Sequence, residues 1–253
     1  MIIHENYFSP ENQMKYMGAS QFKAFDNCEA AALAELKGEY EREVTNSLLI
    51  GSYVDAHFEK SLDLFKVKHP EIFTRNGDLK ADFKRAEYII ERIERDPMFM
   101  EFMSGQKQVI KTGDICGVPF KIKIDSYHPG KMIVDLKVMK DMEPLWKEGK
   151  GKVNFAEAWG YDIQGAIYQA IEGNHLPFYL AVATKEVEPD IEIIEIPQHY
   201  MDAALEYVKQ KVMRFQAIKE GDIEPVRCEK CNYCKRTKVL DSVRSLEEFD
   251  YAE

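Results

Sequence analysis

Two acids and a lysine stand in neighbouring strand-like segments of this chain. Asp125 ends the segment KIKID, and Asp135 and Lys137 stand two positions apart in IVDLK. Because successive side chains of a strand alternate between its faces, Asp135 and Lys137 are predicted to point to the same side. If Asp125 lies opposite Asp135, two carboxylates and an ammonium group meet on one patch of sheet. That register requires an odd-length loop or a bulge, since a two-residue turn would put the acids on opposite faces.

This arrangement favours metal-assisted hydrolysis of a phosphodiester. Two close carboxylates repel each other unless a cation lies between them, and Mg²⁺ or Mn²⁺ suits hard oxygen ligands. Such an ion lowers the pKa of a bound water, and a nearby lysine stabilises negative charge on the transferring phosphoryl group. The alternative is that Asp125, Asp135 and Lys137 lie on the solvated face of an antiparallel sheet, where charged side chains are ordinary.

Two predicted helices carry further polar side chains at helical spacing. Asp55 and Glu59 follow Gly51 at intervals of four in GSYVDAHFE, so the three share one stripe of a helix that could approach a metal. Gln164 and Tyr168, also four apart, could reach a phosphate or a base. The alternatives are a solvated helix face for the acids and a boundary stripe beside the core for Gln164 and Tyr168.

Cysteines near the C-terminal end point to a bound metal. The chain has five cysteines, and three of them crowd into CEKCNYC as Cys228, Cys231 and Cys234. An odd, clustered set is poorly explained by disulfides. A tetrahedral ion or a cubic cluster needs one more ligand, for which Cys28 is the best candidate because Cys116 is predicted to lie in the apolar face of a strand. Three close cysteines and one remote one favour an iron–sulfur cluster, with zinc as the alternative.

The elements that must position these residues follow from hydrophobic periodicity. Helical spacing predicts helices over about 20–37, 48–65 and 79–96, then over 154–173, where Trp159 joins the apolar stripe, and over 198–219. Alternation over 106–140 predicts three antiparallel strands, a loop rich in lysine and glycine follows at 147–152, and FYLAVATKE and DIEIIEIP predict two more strands. We therefore expect one α/β domain over 1–253, with a mainly helical part at 20–105, the sheet and active-site core at 106–197, and a final helix with the cysteines at 198–253.

Composition limits the classes of protein that remain. With 253 residues, 45% hydrophobic and 31% charged, the chain is typical of a globular protein with one sizeable core. It has neither a membrane-spanning apolar run nor a signal-peptide pattern at its start, so a cytoplasmic protein is expected. The net charge of −10 argues against a surface that coats nucleic acid but allows a local basic channel.

Taken in order, these segments resemble the RecB-type branch of the PD-(D/E)xK nuclease superfamily. GSYVDAHFE is similar to its first motif, KIKID to its metal-binding aspartate strand, IVDLK to its (D/E)xK strand, and QGAIY to its Q-x-x-x-Y helix. Asp55 departs from the pattern, because most RecB-type members have a histidine there, but an aspartate still binds a hard cation. Some RecB-type nucleases, including AddB-like ones, also carry one cysteine before these motifs and three after them.

The resemblance implies a fold, an activity and partners. The fold would be α/β with a restriction-endonuclease-like core, a central mixed sheet of about five strands flanked by helices, and an N-terminal helical elaboration. Residues Asp55, Asp125 and Asp135 would bind Mg²⁺ or Mn²⁺, Lys137 would be the catalytic amine, Gln164 and Tyr168 would position the substrate, and Cys28, Cys228, Cys231 and Cys234 would hold a four-iron, four-sulfur cluster.

The activity so implied is that of an exonuclease VIII-like, phage-type deoxyribonuclease acting on linear DNA in recombination or repair. A strand-annealing recombination protein is a candidate partner, and an oligomer is compatible with the pattern. The rival hypothesis is a non-catalytic nucleic-acid-binding module built round the cysteine site, with the acidic patch inert.

Overall fold

The computed structural model describes residues 2–147 and 149–246. Its strands are β1 (Gln106–Ile115), β2 (Val118–His128), β3 (Met132–Met139), β4 (Leu145–Lys147), β5 (Gly151–Val153), β6 (Phe178–Thr184) and β7 (Ile191–Glu195). Its helices are α1 (Pro10–Lys15), α2 (Ala19–Asn27), α3 (Glu29–Leu36), α4 (Asn46–Phe58), α5 (Leu62–Lys68), α6 (Ala81–Glu94), α7 (Pro97–Phe102), α8 (Phe155–Ala158), α9 (Tyr161–Glu172), α10 (Gln198–Glu220) and α11 (Asn232–Arg236). Among these helices, none is long and apolar enough to cross a membrane.

The main sheet is mixed and has helices on both faces. Its strand order is β1-β2-β3-β6-β7, in which β3 and β6 are parallel and the other neighbours are antiparallel. Helices α2, α9 and α10 pack with one set of buried strand residues, and α4 and α6 pack with the other set. Because each strand of the centre is covered on both sides, β3 and β6 read as nearly continuous apolar runs. This architecture confirms the predicted α/β fold with a five-stranded mixed sheet and flanking helices.

The hairpin between β2 and β3 has the register that the acids need. Cα partners run from His128↔Met132 to Ser126↔Val134, so the next position along the register places Asp125 opposite Asp135. The connecting loop is 129–131, an odd length, and Gly130 adopts a positive φ of 69° that favours glycine. The predicted odd-length loop is therefore confirmed.

Three helices predicted as continuous are each interrupted. The predicted helix over 48–65 is divided into α4 and α5. The segment 20–37 divides at Cys28, whose backbone is extended between α2 and α3. The segment 154–173 divides at Gly160, which is left-handed with a φ of 65° and starts α9 in a new direction. The interruption also leaves Trp159 54% exposed, so its predicted place in the core stripe was wrong. Periodicity alone does not detect such breaks, because the apolar spacing continues across them.

The prediction that Cys116 lies in the apolar face of a strand was wrong. Cys116 is exposed and forms, with Gly117, the two-residue turn between Ile115 and Val118. Both turn residues have positive φ, 53° for Cys116 and 80° for Gly117, as a primed hairpin turn requires. The predicted lysine- and glycine-rich loop likewise contains the small β4–β5 hairpin.

A buried carboxylate fastens α9 to the sheet. The Glu172 side chain accepts hydrogen bonds from Lys111 Nζ of β1 at 2.9 Å and from the Tyr127 hydroxyl of β2 at 2.7 Å. It also accepts from the backbone N–H of Asn174 at 2.9 Å. Burial opposes ionisation of Glu172, but the bonds from Lys111, Tyr127 and Asn174 outweigh it and lower the pKa to about 2. This clamp holds the helix that carries Gln164 against the sheet.

Replacing Glu172 with glutamine is expected to lower the free energy of unfolding by about 3 kcal/mol at pH 7, since it breaks a buried ion pair. A carboxyl whose pKa falls on folding stabilises the protein above its unfolded pKa, about 4.3, and that stabilisation is lost as the pH falls towards 2. Urea unfolding should therefore show the gap between variant and parent shrinking from pH 7 to pH 3. The exposed Glu195→Gln is the control, and an equal gap at both pH values would contradict the clamp.

Candidate active site and cysteine cluster

Asp125 lies where the regular pairing of β2 with β3 ends. Its Oδ2 accepts a hydrogen bond from the backbone N–H of Leu136 at 3.0 Å, so the side chain takes the place of a ladder bond. Its Oδ1 accepts from Gln108 Nε2 of β1 at 3.1 Å. These two donors fix the carboxylate at the open end of the β2–β3 ladder, beside the second acid.

Asp135 is held by a helix on one side and by a lysine on the other. It is 2% exposed, and its Oδ1 accepts a hydrogen bond from Gln164 Nε2 at 2.7 Å. Its Oδ2 forms an ion pair with Lys137 Nζ, as the two-residue spacing on one strand predicts. The lysine side chain is 22% exposed, and its ammonium also lies 5.2 Å from the centre of the Tyr161 ring. The predicted meeting of acids and amine therefore occurs at this edge of β3.

Helix α4 brings two more acids to the same place. Asp55 and Glu59 line a small, partly open recess whose other polar walls are Gln108 and Asp125. Glu59 is the C-cap residue directly after the last residue of α4, so its side chain leaves the end of the helix. The acids predicted on one helical stripe thus face the strand acids instead of solvent.

Crowding of like charges shows in the pKa values of these acids. Burial and the neighbouring Asp135 raise the pKa of Asp125 to about 7, against the opposing influence of Lys137. Burial and Asp125 likewise raise the pKa of Asp55 well above its usual value. Burial opposes the charge on Lys137, but Asp135 and Asp125 raise its pKa, so the amine stays protonated.

The donor set fits a hard divalent cation. Carboxylates with raised pKa values, such as Asp55 and Asp125, are stabilised in their charged form when a cation lies between them. The acidic side chains of this site accept hydrogen bonds from protein donors. They are less closely grouped than the four cysteines, whose ligand atoms all lie within 4.8 Å of one another. Metal binding by Asp55, Asp125 and Asp135 stays a prediction.

Gln164 and Tyr168 support the site from behind. They are 7% and 8% exposed, respectively. The Tyr168 hydroxyl donates to the backbone carbonyl of Lys123 in β2 at 2.9 Å, while Gln164 bonds Asp135. Each side chain therefore ties α9 to one of the two strands that carry an acid. The substrate-positioning role predicted for them stays a prediction, and the contacts shown are with the acid and its strand.

Under the metal-assisted hydrolysis predicted from the sequence, replacing Gln164 with leucine is expected to slow the reaction by about 10- to 100-fold, the usual scale for a residue that orients a metal ligand. The reason is that Asp135 loses the donor that fixes its carboxylate. Gln169→Leu is the matched control, since that buried side chain on the same helix bonds Leu176 and Gln198 instead. Rates and unfolding midpoints should be measured together. Gln169→Leu should lower stability alone, and equal rate losses in both variants would contradict this role.

Four cysteines form a second group, separate from the acids. Cys28 Sγ lies 3.6 Å from Cys234 Sγ, and Cys228 Sγ lies 4.0 Å from Cys234 Sγ, with Cys231 completing the group. Burial opposes ionisation of Cys228, but backbone N–H groups of Lys230 and Cys231 lower its pKa to about 6. The predicted pairing of Cys28 with the three late cysteines is confirmed as a spatial group that could bind a metal.

The break at Cys28 is what turns its thiol towards the late cysteines. Just after it, Glu29 binds Arg214 of α10 through two bonds, of 2.7 and 2.8 Å, and accepts the backbone N–H of Val226 at 2.7 Å. These contacts fix the start of α3 beside the chain that leads to Cys228. The spacing of the sulfurs matches the edge of a tetrahedron round one ion, about 3.8 Å for Zn–S bonds of 2.3 Å, more closely than a larger four-iron cluster.

Comparison with known proteins places this geometry in a family. Residues 18–237 match the family model described as a PDDEXK-like domain of unknown function (DUF3799). The chain belongs to this PDDEXK-like family. The resemblance inferred from the motifs is thereby confirmed at the level of the superfamily, and the matched range contains every predicted site residue.

Solved structures add two likenesses to this PDDEXK-like chain. The crystal structure of a "putative exonuclease" from Eubacterium rectale is 47% identical, covers 99% of this chain and 98% of its own, and has a TM-score of 0.95. The structure of SSO0001 is 12% identical over 77% of this chain and 85% of its own, with a TM-score of 0.27, which is too low to support an argument. A search of the curated proteins found no match.

Three side chains of the PDDEXK-like site were missed in the sequence. Gln108 binds Asp125, Tyr161 lies beside Lys137, and Lys23 lies 5.3 Å from the centre of the same Tyr161 ring. Lys23 stands next to the predicted core positions of α2, where nothing distinguishes it from a surface lysine. Gln108 lies in an alternating strand, β1, and belongs to no motif. Only the fold shows that Gln108 contacts Asp125 and that Lys23 shares the Tyr161 ring with Lys137.

Proposed function

We propose that this chain is a metal-dependent deoxyribonuclease, an exonuclease that hydrolyses phosphodiester bonds of linear DNA in recombination or repair. One observation carries the proposal: two aspartates and a lysine on adjacent strands meet the acids of α4 in a single, partly buried cluster. Crowded acids with raised pKa values next to a charged lysine are costly to stability, and such costs are typical of functional sites. The likeness to the Eubacterium rectale protein, whose name gives an exonuclease, agrees with it.

In the proposed reaction, Asp55, Asp125 and Asp135 would hold Mg²⁺ or Mn²⁺. When bound, such a cation would supply a more acidic water and a positive charge for the phosphate. Lys137 would donate from its ammonium group to an oxygen of the scissile phosphate and stabilise the charge that develops there. Gln164 would hold the Asp135 carboxylate in the orientation needed to bind the cation.

A groove next to the cluster suits a nucleic acid strand. Its lining includes four cations, Lys23, Arg42, Lys147 and Lys150, three acids, Asp26, Glu157 and Asp162, and the half-exposed Trp159. Lys23 Nζ donates to the backbone carbonyl of Trp159 at 3.2 Å and lies near the Tyr161 ring that Lys137 also contacts, so the groove adjoins the cluster. Cations that follow a phosphate backbone and an aromatic ring on which a base can stack are the usual means of binding a strand. The acidic net charge of the chain is compatible with such a local channel.

The four cysteines would hold a structural metal centre under this proposal. The resemblance supports an iron–sulfur cluster, and the compact spacing of the sulfurs supports zinc. Either centre would join α3 to the segment after α10 without contacting the acids, so it would act on stability and not on the hydrolytic step.

The proposal is tested by incubating linear and covalently closed circular DNA of one sequence with the purified protein, with and without Mg²⁺ or Mn²⁺. We expect loss of linear DNA only with a divalent cation, release of mononucleotides or short products, and survival of the circle. Asp135→Asn is the control for contaminating nucleases. If the protein binds DNA without a metal and does not degrade it, the nuclease proposal is overturned and the rival hypothesis of a non-catalytic binding module is favoured.

A further inference from the structure

Gln108 lines the recess between the acids and carries a buried, unpaired oxygen. The residue is 6% exposed, and its side chain lines the recess with Asp55, Glu59 and Asp125. Its Oε1 is buried and has no hydrogen-bond partner among the described residues. A buried acceptor without a donor costs roughly 1–3 kcal/mol, so such an atom calls for a physical reason.

The neighbouring carboxylate decides which way the amide points. Gln108 Nε2 donates to Asp125 Oδ1 at 3.1 Å. When Asp125 is ionised, the reversed amide would bring its oxygen against the carboxylate oxygen and replace a hydrogen bond with repulsion. Beside the ionised acid, the amide therefore does not satisfy Oε1 by turning over. The unpaired oxygen belongs to a residue that lines the recess, among acids that also require a positive partner.

The backbone at Gln108 is in an uncommon conformation. Its φ is 53°, in the left-handed region that side chains other than glycine rarely adopt within a strand. It lies between the pairs Lys107↔Ser126 and Val109↔Ile124, directly across from Asp125. Strain of this kind costs on the order of 1–3 kcal/mol and is found mainly where function requires it. Gln108 thus combines a strained backbone with an unpaired side-chain oxygen, and it lies across from Asp125.

We propose that Gln108 supplies its carboxamide oxygen to the ligand set of the divalent cation at this recess. The inference rests on the proposed function, because it adds a ligand to the cation held by Asp55 and Asp125. Neutral amide oxygens are ordinary ligands for hard cations, and one here would add no charge to a crowded acidic site. Through Nε2 the same side chain binds Asp125, so a single residue would link the cation to the carboxylate.

The test is calorimetric titration of the intact protein with MnCl₂, comparing the parent with Gln108→Met and Gln108→Glu. Methionine keeps the shape and removes both polar atoms, so we expect the Kd for Mn²⁺ to rise about tenfold or more. Glutamate loses the donor to Asp125 but keeps an oxygen at the Oε1 position, so the Kd should equal or fall below that of the parent. Gln106→Met, an exposed glutamine of the same strand, should leave the Kd unchanged.

Metal-free unfolding adds a second readout. Because Gln108→Met removes the orphaned oxygen as well as one hydrogen bond, we expect its unfolding midpoint without metal to stay close to that of the parent. A Kd within twofold of the parent for Gln108→Met would overturn the inference. So would an equally raised Kd in Gln108→Glu, since the amide would then act only through its bond to Asp125.

Failure of this inference differs from failure of the proposed function. If Asp125→Asn abolishes Mn²⁺ binding while Gln108→Met binds normally, Gln108 is not a ligand and the nuclease proposal stands. If the parent itself binds no Mn²⁺ at millimolar concentration, both fail. Should Gln108→Met not fold, Gln108→Glu decides alone, because a tenfold weaker Kd in that variant contradicts a ligand oxygen.

Discussion

Replacing Lys137 with alanine is expected to slow hydrolysis of linear DNA by about 10²- to 10³-fold, the scale of losing one group that stabilises transition-state charge. The Lys137 side chain is 22% exposed, and its ammonium group pairs with Asp135 and is kept protonated by the two aspartates. It is therefore a charged donor that is already in position before substrate binds. Substrate affinity should change far less than the single-turnover rate, because other lysines line the adjacent groove.

Lys140→Ala is the matched control for this experiment. Lys140 follows the same strand, and its side chain is 93% exposed and pairs with Asp141 instead of a buried acid. Single-turnover rates should be measured at saturating Mg²⁺, with thermal unfolding of each variant to exclude misfolding. A Lys137→Ala protein that digests DNA as fast as Lys140→Ala would remove Lys137 from the mechanism.

Replacing Cys231 with serine is expected to lower the free energy of unfolding by about 4 kcal/mol, the scale of a cross-link that closes a loop of a hundred residues or more. Cys28 and Cys234 are 206 positions apart, so the centre closes almost the whole chain into a loop. For a chain of this size the loss corresponds to a fall of roughly 10 °C in Tm. The effect on kcat of the still-folded fraction should be small, since the cysteines lie away from the acids.

Cys116→Ser is the control for that variant, because Cys116 is exposed in the β1–β2 turn and outside the cysteine group. Its Tm should match that of the parent. Anaerobically purified protein should be assayed for iron, acid-labile sulfide and zinc, which separates the two candidate centres. Equal Tm values for Cys231→Ser and Cys116→Ser in metal-replete protein would contradict a structural role for the site.

The parts of the fold that could be predicted are those set by short-range periodicity. Alternation placed β1, β2 and β3, and the odd-length loop required for Asp125 to lie opposite Asp135 is the one observed at 129–131. The breaks at Cys28 and Gly160 escaped prediction because apolar spacing runs through both. They are set by tertiary needs, namely a thiol turned towards the late cysteines and a new direction for α9.

The residues of the candidate site likewise divide into those that could be predicted from the sequence and those that could not. Asp125, Asp135 and Lys137 were predictable because two charges inside an apolar strand stand out locally. Gln108 was not, because its position depends on a left-handed backbone and on the strand opposite. Lys23 was not predictable either, since it reaches Tyr161 only after α2 and α9 pack together. A residue that reaches the site from another helix or strand carries no local sequence pattern by which it could be predicted.

The central claim, that the buried acids hold a divalent cation, is tested most directly by anomalous scattering. Crystals soaked in millimolar MnCl₂ should be measured on both sides of the manganese absorption edge. We predict a manganese peak bounded by the carboxylates of Asp55, Asp125 and Asp135. A well-phased map with no peak there, in crystals whose acids are ionised, would contradict the account.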